Sequence, residues 1–336
     1  MSTPGWQRPT SRSAAVTLIN PLPSTLAHYQ SELSWLVVEC GHAVNVSLTP
    51  QVEMTMSSPA SRSRRAAHLL RDRLGNAASG TPRIVVWPAL GLLDAATWIR
   101  GRHATWLIVH DPEPLRRQFG MGRISTAAGR WASMRGVGII AHTDVAADVL
   151  RAQGWQVTVL PHPIRPADQF TSRPGSQLTV IGQWKPVRRV EPLSMLAGDT
   201  TWEGRRELVG AGWPPVEGWS LDSRFLSELE LDACIDRAAC VVVPYTHYFQ
   251  SGVAIRCLER ATPVVGTPHP FLTAVFGSDW PGVVTDDDWV GAVRRASAVS
   301  REEMMARCAA YRRTCVDQWR EFLNDVVSSA KTTASH

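Results

Sequence analysis

Residues 240–270, CVVVPYTHYFQSGVAIRCLERATPVVGTPHP, constrain the fold of this chain more tightly than any other stretch. A β-branched run, Val241 to Val243, stops at Pro244. Ser251-Gly252 then opens a helix carrying Val253, Ile255, Leu258 and Glu259, and a second buried strand, Val264-Val265, stops at Gly266. Strand, loop, helix and strand in that order form one βαβ unit, so the two strands must lie parallel. The Ser-Gly pair sits where the N–H groups of a helix N-terminus are unpaired and point outward. Free donors and the helix dipole act together there, and such a terminus suits a small phosphorylated ligand.

The rest of the chain repeats this alternation. Residues 16–19 read as a strand ending at Asn20-Pro21, and Ser24 is placed to cap a helix that runs to Cys40 and stops at Gly41. Strands are expected at 43–47, 83–87, 105–109, 137–141 and 156–160, with helices at 61–74 and 144–153. A second set starts with a strand at 178–181. It continues through a helix near 190–197, a strand near 207–209, a helix at 226–237, the unit above, a strand at 283–284 and a helix from Asp287. A long amphipathic helix over 302–327 closes the chain, and 328–336 reads as a disordered tail. Alternation of this kind predicts an α/β protein with parallel sheets wrapped by helices. Residues 161–176, rich in proline, glycine and polar side chains, are the expected linker.

A chain of 336 residues has room for two domains. No apolar run is long enough to span a bilayer, and the N-terminal stretch with Arg8 and Arg12 lacks the apolar core of a secretory signal. The cytosol is the expected location, with peripheral contact at the inner face of the membrane as a further option. The six cysteines, at 40, 234, 240, 257, 308 and 315, form no CxxC pair and no zinc-type spacing, which fits buried thiols. Asp286-Asp287-Asp288 looks superficially like a metal site, but its place before Trp289 and an apolar-periodic helix fits N-capping. No metal and no cofactor are expected. Only Lys185 and Lys331 are lysines among 35 basic residues, which makes Lys185 conspicuous. Charge is uneven: residues 1–173 carry 18 arginines and 10 acidic groups, a net of +8, and residues 174–336 carry 17 basic and 20 acidic groups, a net of −3. The first half is therefore suited to an anionic partner.

Asn20-Pro-Leu-Pro-Ser stands where a dinucleotide fingerprint would follow the first strand, and there is no Walker loop, which argues against a nicotinamide or P-loop enzyme. After the strand at 178–181 comes Gly182-Gln-Trp-Lys185-Pro-Val-Arg188-Arg189-Val-Glu191. Gly182 permits a tight strand exit, and Lys185 and Arg188 put cations at the sheet's C-terminal edge, where ligands of parallel sheets bind. With helix amides, these cations balance a diphosphate without a metal.

GQWKPVRRVEPL followed by PYTHYFQSGVAIRCLERATPVVG resembles the donor-binding half of family 4 glycosyltransferases with the GT-B fold, in a bacterial subgroup carrying a Ser-Gly pair. The first half matches through NPLP after strand one, Val109-His110-Asp111-Pro112, His142-Thr143 and Leu160-Pro-His162-Pro163. The resemblance implies two Rossmann-like domains with a cleft between them: 1–165 for the acceptor and 175–300 for the donor, with a C-terminal helix at 301–327 crossing back. It implies retaining transfer of a hexosyl or related sugar from a nucleotide diphosphate donor. Lys185 and Arg188 fall on positions that contact donor phosphates, and Glu259 on one that contacts the donor sugar or ribose. Ser251 replaces a more usual glutamate, so sugar recognition there must differ. Gly182, Tyr245, Gln250, Ser251, Gly252 and Val253 complete the implied donor site. His110 falls on a position facing the transferred sugar, and a structural His-Pro turn fits His110 and His162 equally well. Asn20, His110, Asp111, Arg116 and Arg117 are the candidate acceptor contacts.

Two basic clusters lie in the first half. One holds Arg62, Arg64, Arg65, Arg71 and Arg73; the other holds Arg116, Arg117, Arg123, Arg130 and Arg135, interleaved with Met121, Ile124, Trp131 and Met134. The second fits docking at an anionic membrane beside a lipid-linked glycan acceptor, and it fits a solvated face over an ordinary core helix equally well. Modified DNA is the rival anionic acceptor. A non-catalytic nucleotide-sugar-binding protein is the reading from a different class.

Overall fold

The computed structural model describes residues 15–23, 25–48, 81–98, 104–113, 120, 122–166 and 175–334, with side chains described as far as residue 329. The predicted helix at 61–74 and the residues Arg116, Arg117 and Met121 lie outside this set. The chain forms two compact units: Met1–Pro163 together with Cys315–His336, and Ile164–Thr314.

The first unit is built on a six-stranded parallel sheet in the order β2-β1-β3-β4-β5-β6. Its strands are β1 (Ala15–Asn20), β2 (Ala43–Leu48), β3 (Arg83–Val85), β4 (Thr105–Ile108), β5 (Val137–Ala141) and β6 (Val157–Val159). Val16 to Asn20 are all buried, as expected of a strand covered on both faces. Helix α1 (Ala27–Glu39) buries Tyr29, Leu33, Leu36 and Val37 at helical spacing. It starts later than expected: Leu26 is its N-cap, with no side-chain hydrogen bond, after the Pro21-Leu22-Pro23 turn. Gly41, at φ +91°, ends it, and the N–H of His42 bonds back to Val37 at 3.1 Å. A 3₁₀ helix over Gly91–Trp98, which no sequence signal announced, packs against α2 (Arg123–Ser133). Helix α3 (Asp144–Ala152) is capped by Thr143, whose hydroxyl accepts from Ala146 N–H at 3.1 Å.

The second unit carries a five-stranded parallel sheet in the order β11-β10-β7-β8-β9. These are β7 (Gln177–Ile181), β8 (Arg206–Val209), β9 (Ser220–Asp222), β10 (Ala238–Val243) and β11 (Val264–Gly266). The edge strand β9 was not anticipated, because Ser-Leu-Asp offers no buried apolar run and is mostly exposed. The expected strand at 283–284 reduces to one parallel bridge from Val283 to Gly266. The helices are α4 (Glu191–Gly198), α5 (Glu228–Asp236), α6 (Gly252–Glu259), α7 (Pro270–Phe276) and α8 (Trp289–Ser297). Asp288 caps α8 by accepting from Gly291 N–H at 2.8 Å, and Asp287 accepts from Trp289 Nε1 at 2.9 Å. The aspartate run is thus engaged in capping, as expected.

The closing helix, α9 (Arg301–Ala334), runs through the stretch expected to be a disordered tail. Nothing between Ser328 and Ala334 stops it, since no proline or glycine occurs there. Its residues through Thr314 belong to the second unit and those from Cys315 to the first. Cys315, Trp319, Phe322, Leu323 and Val326 join Leu18, Leu33, Leu36 and Ile108 in one core. Among the described residues, no helix is long and apolar enough to cross a membrane. None of the six cysteines forms a disulfide, and all six are buried.

Candidate functional site

In the second unit the chain leaves β7 towards β8 and β9 on one side, then returns to β10 on the other. The C-terminal ends of β7 and β10 therefore flank a topological switch point, where open parallel sheets bind ligands. Gly182 leaves β7 at φ +107°, and an added Cβ would lie 2.7 Å from Arg188 Nη2. Only glycine accepts that backbone with an arginine so close.

The Arg188 side chain spans the switch point. Its Nη1 donates to the carbonyls of Gly182 at 2.7 Å and Ile181 at 3.3 Å. The guanidinium lies 4.6 Å over the Tyr245 ring and 5.5 Å from that of Trp213. Trp213 Nε1 donates to the same Gly182 carbonyl at 2.7 Å. Backbone bonds join the two loops as well, from Arg189 N–H to Pro244 at 2.7 Å and from Thr246 N–H to Val187 at 2.8 Å. Burial pulls the Arg188 pKa down and pushes that of Tyr245 up, while contact between the two groups opposes both shifts. Among the described residues, no carboxylate pairs with Arg188 or with the exposed Lys185. Part of the Arg188 fork is thus used to hold the strand exits, a role the sequence did not reveal.

Helix α6 begins at the same edge. Ser251 is buried, and its Oγ accepts from Ala254 N–H at 3.3 Å. Gly252 is exposed, and an added Cβ there would meet nothing within 4 Å. Val253 and Gln250 are half-buried on either side of this pair. The amides of Gly252 and Val253 belong to the first turn, which has no internal acceptor for them. Tyr248 stacks on His269 with ring centroids 3.9 Å apart, and its hydroxyl is buried without a hydrogen-bond partner among the described residues. Two arginines that sequence reasoning missed fix α6 in place. Arg256 bonds Asp232 at 2.6 Å and Glu228 at 2.8 Å, and Arg260 pairs with Asp236 and Asp232, all from α5 and its C-terminal end. Glu259, only 4% exposed, accepts from the Arg165 N–H at 2.8 Å, which ties the last turn of α6 to the start of the second unit.

In the first unit the C-terminal ends of β4, β5 and β6 each lead to a buried histidine: His110, His142 and His162. Tyr29 lies among them, with ring centroids 4.7, 5.7 and 5.1 Å away respectively, and Trp87 stacks on His110 at 5.5 Å. His110 Nε2 lies 2.9 Å from the Val86 carbonyl. His142 Nδ1 lies 2.8 Å from the Leu160 carbonyl and its Nε2 lies 2.7 Å from Tyr29 Oη. Burial, then the neighbouring His162 and His110, hold the His142 pKa well below its ordinary value. The neutral ring donates from Nδ1 to the carbonyl, so Nε2 accepts from the tyrosine. Tyr29 and Trp87 were missed, since only the folded sheet brings them to this edge.

Asn20 is fully buried, and both ends of its amide are used: Nδ2 donates to Gln30 Oε1 at 2.8 Å and Oδ1 accepts from Leu22 N–H at 2.9 Å. It shapes the turn after β1. Asp111 is exposed. Arg116 and Arg117, like the cluster from Arg62 to Arg73, lie outside the described residues.

No family model matches this chain, and no curated protein sequence matches it. Solved structures do match. An apo structure of OtsA aligns with a TM-score of 0.62 at 10% identity, over 94% of this chain and 99% of that one. The UDP-forming α,α-trehalose-phosphate synthase from Burkholderia xenovorans aligns at 0.61 and 14% identity, over 95% and 100%. The pneumococcal O-GlcNAc transferase GtfA in complex with UDP and GlcNAc aligns at 0.54 and 11% identity, over 78% and 60%. The fold is GT-B. The match spans under two thirds of the TarM and GtfA chains, 58% and 60% of two of them. At these identities the likeness carries the fold alone.

Proposed function

We propose that this chain is a glycosyltransferase that moves a sugar from a nucleoside diphosphate donor, held by the second unit, to an anionic acceptor held by the first. The observation that carries this reading is the switch point between β7 and β10. There, Arg188 and an exposed lysine, neither of them paired with a carboxylate among the described residues, and an open helix N-terminus occupy one sheet edge. A diphosphate has the charge and the acceptor oxygens to use all three. Uridine diphosphate is the assigned leaving group, because the structural neighbours include a UDP-forming synthase and a transferase bound to UDP.

Bond cleavage between the sugar anomeric carbon and the β-phosphate oxygen sends the electron pair to that oxygen. Lys185, Arg188 and the amides of Gly252 and Val253 stabilise the charge that develops there. The acceptor hydroxyl forms the new bond from the same face and passes its proton to a donor phosphate oxygen, so configuration is retained. These fixed positive groups do the neutralising work, and no metal is assigned. Glu259 accepts hydrogen bonds from donor sugar or ribose hydroxyls.

A thermal-shift series with UDP, GDP and UDP-sugars in EDTA tests the donor assignment. At a ligand concentration of 100 Kd, binding stabilises the fold by about 2.7 kcal/mol. UDP and one UDP-sugar should raise Tm, and Lys185→Ala should remove most of the shift. Should no nucleotide move Tm, or should Lys185→Ala respond like the wild type, the donor site lies elsewhere.

A further inference from the structure

Helix α2 is oriented against the ordinary rule for a surface helix. Its small residues face inward: Gly129 and Ala132 are buried, and a Cβ at Gly129 would lie 2.2 Å from the Trp155 ring and 2.5 Å from the Leu92 carbonyl. That close seat fixes which face points out. Ile124, Ala127, Trp131 and Met134, at spacings of three, four and three, form the outer stripe. Ile124 is 86% exposed, Met134 80% and Trp131 46%. Arg123 and Arg130, both exposed, border the stripe, and the Arg135 guanidinium lies 4.8 Å over the Trp131 ring. From residue 122 to 143 the chain has three arginines and no acidic residue.

We propose that this face of α2 docks on an anionic lipid bilayer, with Ile124, Trp131 and Met134 entering the interface and the arginines meeting lipid phosphates. Charge complementarity selects an anionic partner. The outward aliphatic side chains select lipid over nucleic acid, because phosphate contact leaves Ile124 and Met134 in water whereas insertion removes them from it. A tryptophan flanked by arginine suits the headgroup layer. Docking itself does not depend on the sugar-transfer reading. Its consequence, that the acceptor is lipid-linked, does rest on that reading.

Flotation of the full-length protein with phosphatidylcholine vesicles, with and without phosphatidylglycerol, tests the proposal. The wild type should float with the anionic vesicles and remain free of the neutral ones. The triple variant Ile124→Ser, Trp131→Ser, Met134→Ser should lose about tenfold or more in partitioning, since each anchor adds buried apolar area. Its UDP-induced shift should stay at the wild-type value, because Lys185, Arg188 and Gly252 all belong to the second unit, and the double variant Ile124→Ser, Met134→Ser, whose side chains are 86% and 80% exposed, should lose partitioning with an unchanged Tm. Equal flotation of wild type and variant overturns the proposal. So does tight binding to duplex DNA with none to anionic vesicles. Nucleotide binding without vesicle binding removes the docking alone, and vesicle binding without nucleotide binding removes the donor site alone.

Discussion

At Gly252 the protein's own packing gives no reason for the missing side chain. An added Cβ meets nothing within 4 Å, and the backbone is not in the left-handed region. Space of that kind at a helix N-terminus fits the close approach of a ligand. Gly252→Ala should therefore leave stability unchanged, or raise it by about 0.4–1 kcal/mol through the unfolded chain, while abolishing the UDP-induced rise in Tm. Loss of the folded state in this variant would place the constraint inside the protein instead. His142 makes a second prediction. Its folded pKa lies well below the ordinary 6.5, with burial the main cause. Below that value the unfolded chain takes up a proton that the folded chain refuses, so stability falls as pH drops from neutral. His142→Gln should flatten the decline of Tm between about pH 7.5 and 5; an unchanged slope would assign it to other groups.

At the scale of elements, legibility followed the location of the signal. Helices α3 and α8 were readable from Thr143-Asp144 and Asp286-Asp287-Asp288, because a cap is a local device. The stretch from Gly182 to Arg188, which follows directly on β7, and the helix start at Ser251-Gly252 were readable for the same reason. What supports them was not readable. Trp213 reaches the Gly182 carbonyl from 31 residues away, and Arg256 pairs with Glu228 from 28 residues away. The outward stripe of α2 was undecidable because its periodicity fits either face, and only the contact of Gly129 with Trp155 chooses. Helix α9 shows the value of such long-range packing most plainly. Trp319 is fully buried, donates to the Pro161 carbonyl at 2.9 Å and meets Phe322 edge-on. Trp319→Ala should destabilise the first unit by about 3–5 kcal/mol in urea denaturation. A loss within about 0.5 kcal/mol, the range of surface substitutions, would show that the helix is not part of that core.

At the scale of the whole molecule, the two units differ in how their cores are written along the chain. The second unit is one continuous segment, Ile164–Thr314, with its own apolar cluster from Leu178 to Tyr311. The first is interrupted, since Met1–Pro163 shares its core with Cys315–His336. Removing residues from Cys315 onward takes away Trp319, Leu323, Val326 and Val327, and exposes the apolar faces of Leu33, Leu36 and Ile108 that they cover. The same cut leaves the second unit's cluster whole. Two fragments should therefore behave in opposite ways. Residues 164–314 alone should show a cooperative thermal transition and keep the UDP-induced shift, because Gly182, Lys185, Arg188 and Ser251 all lie inside that segment. Residues 1–163 alone should lack a cooperative transition and regain one when 315–336 is joined to them through a flexible linker. A cooperative 1–163 fragment would mean that the helix only covers the first unit, whereas an unfolded 164–314 fragment would mean that the second unit depends on the rest of the chain for its core.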